Sequence, residues 1–467
     1  MIDALIAFFI CFLLSLAGTI TVLLLCRRTG VGLDVPDAVR KLHLDTVPRI
    51  GGLSIFLAYS VLFSYALIIG KLNSPNFLYV YLGSCLIFIL GFFDDLKPLG
   101  ARVKLIGQIL IASVVYFLGF AITSFSYPMG GFSAELGILG YFVTVFWLIS
   151  VPNIINLIDG VDGLAAGLGI FLYLTLGFVS WQSGQVEITF LSFGIAGALL
   201  GFLCFNFPPA RIFLGDGGAY FVGFGVASLS MQSANKGSIL AVLLVTVIAL
   251  GLPIMDAALA LVRRAVRGFP LFRADAEHIH HRLQGLGLSN RRVVITLYLL
   301  TAFFSLIGLS VFWSQGRSLP IAIGVLFIVG VIAIRYLGYI WKWSDITNQL
   351  RRSFNKRKDV EYTLLHAKLL ELELERTPDW DDFAQTLSYT LKRCGLKPSD
   401  STSLTSTHTL TLPLTNEYDW PLDIMEPDDH EAHWMRMAQC FVPARKAAFD
   451  KWPKEVADLK RVTTDDS

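Results

Sequence analysis

"LGILGYFVTVFWLISVPNIINLIDGVDGL", residues 136–164, sets the fold class. Its first stretch, 136–155, carries no charge and reaches the roughly 20 apolar residues that an α-helix needs to cross a bilayer core. Asn153, Asn156, Asp159 and Asp162 then follow at steps of three. Acids beside an apolar span are costly unless they face protein or water. Steps of three keep neighbours adjacent, yet each drifts by about 60° on an ideal helix, so the four cannot share one face. Gly160 and Gly163 let the chain turn there and wrap several oxygens around one point.

The rest of the chain repeats this apolar pattern. Of 467 residues, 54% are hydrophobic and 16% charged, with a mean hydropathy of +0.61, which excludes an ordinary soluble protein. Further apolar runs cover 4–26, 51–70, 76–93, 105–123, 164–181, 188–206, 217–232, 238–262, 293–313 and 319–334. The expected fold is an all-α polytopic membrane protein of about eleven transmembrane helices. The first run has no basic leader or small-residue cleavage site, so it reads as a retained span. The net charge of +2 gives no nucleic-acid footprint. Six cysteines without CxxC or Cys/His spacing indicate neither zinc nor a disulfide framework.

Basic residues orient the bundle. One set of loops holds sixteen, among them Arg27, Arg40, Lys104, Arg211 and Arg282, and the opposite set holds Lys71, Lys236 and Arg317. The rich side is expected to be cytoplasmic, in a plasma membrane, with the N-terminus outside and the C-terminus inside. Residues 1–343 form the membrane domain. Residues 344–467 form a cytoplasmic C-terminal region, a small α/β unit or partly disordered, with a regulatory or interaction role. Within it, 359–376 and 380–394 alternate as amphipathic helices, and "STSLTSTHTLTLPL" reads as a linker followed by a strand.

Acids collect on the basic side of the membrane. "GFFDDLKPLGARVKL" gives Asp94 and Asp95, "RIFLGDGG" gives Asp216, and "RADAEHIHHRLQGLG" gives His278, His280, His281 and Arg282. A lone aspartate at a span end is ordinarily a helix cap, a reading that suits Asp34, Asp37 and Asp256. Adjacent aspartates repel, so a cap explains one of Asp94 and Asp95 and not both. Amide and carboxylate oxygens without cysteine suit a hard cation that completes its shell with water and substrate phosphates. Arg40, Lys41, His43 and Arg49 add phosphate-binding charge at the same interface. A cation transporter would instead carry acids near mid-span, at broken helices.

In this order and between these spans, "DVPDAVRKLHLDTVPRIGG", "FFDD", "NIINLIDGVDGLAAG", "FLGDGG" and "HIHHRL" resemble the polyprenyl-phosphate N-acetylhexosamine-1-phosphate transferase family. The nearer branch is the bacterial undecaprenyl-phosphate GlcNAc-1-phosphate transferases that start O-antigen, enterobacterial common antigen or teichoic acid synthesis. The likeness runs from about Thr29 to Leu288. It implies a Mg²⁺-dependent enzyme, with Mn²⁺ as a substitute. That enzyme transfers a sugar-1-phosphate from a UDP-sugar to a membrane-embedded polyprenyl phosphate, with membrane lipids as surroundings and a homodimer as one assembly. It assigns Asp94 and Asp95 to catalysis beside the lipid phosphate, and Asp216 with Asn156 to the metal. Lys104, Asp159, Asp162, His278, His280, His281 and Arg282 fall to the sugar nucleotide, and Arg40, Lys41, His43 and Arg49 to the lipid phosphate. Transfer of phospho-MurNAc-pentapeptide or of another UDP-N-acetylhexosamine is the alternative within the class.

Overall fold

The computed structural model describes residues 1–34, 47–126, 133–234, 239–251, 253–256, 258, 279–336, 343–398, 409–413, 419–424 and 431–452. The chain divides into two compact units, Met1–Leu261 with Ala274–Tyr339, and Val262–Arg273 with Ile340–Ser467.

The first unit is a helical membrane bundle. Its elements run α1 (Ile2–Thr29), β1 (Leu33–Asp34), β2 (Val47–Pro48), α2 (Gly52–Ile68), α3 (Pro75–Leu96), α4 (Ala101–Phe117), β3 (Ser124–Ser126) and β4 (Ser133–Glu135). Then follow α5 (Leu139–Ile158), α6 (Leu164–Gln182), α7 (Val186–Asn206), α8 (Gly215–Ala234), α9 (Ile239–Ala249), α10 (Ile279–Gly285), α11 (Asn290–Trp313) and α12 (Leu319–Tyr336). Each of the eleven apolar runs is met by a helix. Six of these, α1, α3, α5, α6, α7 and α11, are long and apolar enough to cross a membrane, and α2 and α12 are shorter apolar helices. The run 105–123 is cut short: α4 ends at Phe117 and Gly119 turns with φ +100°. Two short antiparallel ribbons, β1–β2 and β3–β4, interrupt the helical pattern.

Burial separates centre from rim. In α6 and α7, 72% of the apolar window lies inside the protein, against 28% in α1. Apolar side chains of α1 such as Phe9 and Leu13 stay exposed, as lipid-facing positions do. Gly197 and Gly201 let α1 lie against α7, because a Cβ there would stand 2.0 Å from the Phe8 carbonyl oxygen and 2.4 Å from that of Phe12. Small residues at such crossings are how membrane helices gain van der Waals contact.

The second unit is a small α/β fold. It runs α13 (Trp343–Arg376), α14 (Trp380–Arg393), β5 (Leu396–Pro398), β6 (Thr409–Pro413), β7 (Asp419–Ile424), α15 (Glu431–Gln439) and α16 (Val442–Lys451). The sheet is antiparallel in the order β5-β7-β6. Leu370, Leu374, Phe383, Leu391, Leu396, Leu422 and Phe441 form its core. Lys451 Nζ donates to the carbonyls of Leu374 and Thr377 at 2.7 and 2.9 Å, neutralising the C-terminal end of α13.

Candidate active site

Glycine contacts between α2, α3 and α8 bring the acidic motifs together. A Cβ on Gly52 would fall 2.3 Å from Gly218 Cα, and one on Gly91 2.6 Å from Gly217 Cα. Only hydrogen fits at these crossings. The main chains of "PRIGG" and "IFLG" are also laced together. Phe213 N donates to the Pro48 carbonyl at 2.8 Å, Gly51 N to that of Phe213 at 3.0 Å, and Gly52 N to that of Leu214 at 2.9 Å.

This close approach sets Asp95 against the start of α8. Its Oδ1 accepts from Asp216 N at 2.8 Å and its Oδ2 from Gly217 N at 3.0 Å. Two N–H groups that the helix leaves unpaired are thereby capped by a carboxylate from another helix. Asp94 lies about 100° round α3 from Asp95 and meets the side chain of Asp216 rather than its main chain. Its Oδ1 accepts from Leu99 N at 2.6 Å, and its Oδ2 stands 3.0 Å from Lys104 Nζ. The same ammonium is 2.9 Å from Asp216 Oδ2, and Asn156 Nδ2 donates to Asp216 Oδ1 at 2.9 Å. Helices α3, α4, α5 and α8 thus converge on one half-buried cluster of Asp94, Lys104, Asn156 and Asp216.

The 153–162 run fans out, as its helical drift requires. Asn153 turns to α4 and donates to Gln108 Oε1 at 2.6 Å. Asn156 turns to Asp216. Asp159 ends α5. Burial, then the charges of Asp216 and Asp95, push its carboxyl well above the usual range. Asp162 faces a different loop, where its Oδ2 accepts from Ala210 N at 3.0 Å.

Several supporting residues escaped the reading of the sequence. Asn206, 2% exposed, accepts from Gly163 N at 3.0 Å and donates to the Ile212 carbonyl at 2.8 Å. It ties the loop carrying Asp159 and Asp162 to the one leading into Asp216. Tyr298 Oη donates to the Gly163 carbonyl, and Arg291 Nε to that of Pro208 at 2.8 Å. The one signal for Asn206 was an amide closing the apolar run of α7. Asp256, buried, accepts from Ile279 N, the first described residue of α10, at 3.0 Å, so it bonds to another helix and not to the end of its own span.

Arg49 is exposed, and its carbonyl oxygen would lie 2.0 Å from a Cβ on Gly215, which puts its main chain at the cluster's edge. Arg282 is partly buried on α10. Arg40, Lys41, His43 and His278 lie outside the described residues, as do the side chains of His280 and His281.

Among the described residues no group of three His, Cys, Asp or Glu side chains is arranged to hold a metal ion. The oxygen donors at hand are two carboxylates, Asp94 and Asp216, with the Asn156 amide. That set fits a hard cation which takes one or two carboxylates and completes its shell with phosphate and water. Asp216 Oδ2, one of these donors, is held by the Lys104 ammonium.

Comparison with known proteins gives the family. Residues 77–234, from α3 to α8, match the model of glycosyl transferase family 4. The chain is 33% identical over 349 residues to a probable undecaprenyl-phosphate N-acetylglucosaminyl 1-phosphate transferase of Bacillus subtilis, covering 74% of this chain and 95% of that one. It is 32% identical to a decaprenyl-phosphate N-acetylglucosaminephosphotransferase of Mycobacterium tuberculosis, over 63% of this chain and 80% of the relative. An undecaprenyl-phosphate alpha-N-acetylglucosaminyl 1-phosphate transferase of Escherichia coli K12 shares 25% identity over 70% and 90% of the two chains.

Proposed function

The chain belongs to the polyprenyl-phosphate N-acetylglucosamine-1-phosphate transferases, and on that premise we propose how its residues divide the work. The enzyme transfers GlcNAc-1-phosphate from UDP-GlcNAc to undecaprenyl phosphate, releases UMP and so starts a cell-envelope polysaccharide. A phosphate oxygen of the lipid forms a bond to the β-phosphorus, and the bond from that phosphorus to the bridging oxygen breaks. UMP leaves with the bridging oxygen. The nucleophile's second pKa is about 6, so it is largely dianionic at neutral pH and needs little help from a base. Positioning and charge compensation then carry most of the catalysis.

The observation that carries this reading is the Asp94–Lys104–Asp216 bridge, with Asn156 completing it. Lys104 is the one cation in that bridge, and it offsets charge on the incoming pyrophosphate. Asp216 and Asn156 would hold Mg²⁺, which when bound supplies Lewis-acid charge compensation to the pyrophosphate. Asp94 is the carboxylate free to trade Lys104 for the lipid phosphate. Asp95 keeps α8 in place. Arg40, Lys41, His43 and Arg49 receive the lipid phosphate. Asp159, Asp162, His278, His280, His281 and Arg282 receive the sugar nucleotide.

All eleven apolar helices cross a bacterial plasma membrane, with the acidic cluster, α10 and the C-terminal unit on the cytoplasmic side and the N-terminus outside. The sixteen-to-three asymmetry of basic residues supports this orientation. UMP release by purified protein, with undecaprenyl phosphate and a panel of UDP-sugars, tests the activity. UDP-GlcNAc is expected to be the preferred donor, and its failure beside an active alternative donor would refute the sugar assignment.

A further inference from the structure

Helix α13 is apolar on two opposite sides. Thr363, Ala367, Leu370 and Leu374 are buried in the second unit. On the far side Tyr362, Leu365, Leu369 and Leu372 are exposed by 41, 58, 58 and 59%. Their steps of three, four and three are the a–d spacing of a two-helix seam. A solvated helix face ordinarily carries charge instead.

We propose that this stripe is the seam of a parallel pairing with α13 of a second copy of the chain. Charge chooses both the partner and its direction. In a parallel, in-register pair each residue at g faces the e residue five places on in the other helix. Lys368 then meets Glu373, and Glu361 meets His366. An antiparallel pair centred on the same stripe would set Lys368 against Lys368 and Glu361 against Glu375. Glu361, Glu373 and Glu375 flank the stripe, which disfavours an anionic lipid surface as the occupant.

Chain connectivity points the same way. Six residues separate the helix from α12, so two copies inserted alike in one membrane start their α13 helices from the same face. The helix is already folded within its unit, which removes most of the ordering cost. Confinement to one membrane raises the effective concentration of the second copy.

The full-length protein tests this. Leu369→Cys and Leu372→Cys variants should each form self-cross-linked dimers under mild oxidation, several-fold above the unmodified chain with its six cysteines. Leu364→Cys, exposed but off the stripe, should not. Lys368→Glu should weaken self-association roughly tenfold, because two attractive contacts become repulsive. The double variant Lys368→Glu/Glu373→Lys should restore it. A stripe lying on lipid or on another protein gives no self-cross-link, and that result overturns the proposal. So does a double variant as weak as the single one.

Discussion

Replacing Asn206 tests whether the two acid-bearing loops act as one site. The side chain is buried, and its amide is fixed in orientation, because Gly163 offers an N–H and Ile212 a carbonyl. Asn206→Ala leaves both backbone groups without a partner at about 1–3 kcal/mol each. The local cost is then about 2–6 kcal/mol, less whatever a water in the vacated space recovers. The loops are also held by Tyr298 and by the main chain between Pro48–Gly52 and Phe213–Leu214, so the variant is expected to fold and melt lower. A shift of about 1 Å between Asp159 and Asp216 is enough to cost roughly 100-fold in rate. UMP release should fall by about that factor, with a smaller change in KM for UDP-GlcNAc. Asn206→Asp separates positioning from mere stability. Its carboxylate still accepts from Gly163 but presents no hydrogen to the Ile212 carbonyl. Protonation restores that donor, so activity relative to the parent should rise as pH is lowered. Asn206→Ala should show no such recovery. Parental turnover and melting temperature in Asn206→Ala would refute the clamp.

Asp216→Asn should stay folded and lose divalent-cation-dependent turnover by at least about 100-fold; near-normal UMP release would remove Asp216 from the metal site. Gly52→Ala forces a methyl group against Gly218, which should cost about 1–3 kcal/mol and lower the melting temperature; an unchanged melt would show that the α2–α8 contact yields easily. The Asp159 carboxyl sits above its unfolded value of about 3.9, so the folded chain binds more protons than the unfolded one. Stability is therefore fullest below that value and falls as pH rises through the folded one. In metal-free buffer Asp159→Asn should melt higher than the parent at pH 7, and a lower melt would contradict the sign. A chain truncated near Trp343 should keep UMP release in detergent; a well-folded but inert product would place part of the tail in the active site.

The helices were legible because hydrocarbon thickness imposes a run length: every apolar run is met by a helix, and six of these are long and apolar enough to cross a membrane. Helix ends were less so: nothing in the apolar run 105–123 marks the stop at Phe117 except Gly119. In the tail, α13 and α14 follow visible amphipathic alternation. Helices α15 and α16 went unread because they are short. Their apolar residues Met437, Phe441, Ala444 and Ala448 span a break between two helices. At the site, Asp94 and Asp216 could be picked out because charge beside an apolar span demands a reason, and Asn156 because its amide stands in the polar run that closes α5. Asn206 could not, since both its partners are backbone atoms. Nor could the Gly52–Gly218 crossing, which depends on two helices distant in sequence.

The adjacent aspartates show how far such reasoning reaches. On sequence grounds, two neighbouring carboxylates at a span end repel, so at most one could be a cap. Helical geometry resolves the conflict, because consecutive side chains diverge by about 100°. Asp95 therefore reaches α8 across the Gly91 contact and spends both oxygens on the Asp216 and Gly217 amides. Asp94 reaches the side-chain end of Asp216, meeting Lys104, the Leu99 amide and the Asp216 carboxylate. The two charges differ in what they can exchange. Releasing Asp95 would expose two helix-terminal N–H groups and loosen the residue that anchors the cluster. Releasing Asp94 from Lys104 costs one partly solvated ion pair, which a phosphate arriving at the same lysine replaces. Position on α3 thus gives one aspartate the main-chain bonds that hold α8 and leaves the other at the ion pair that the proposed reaction would open.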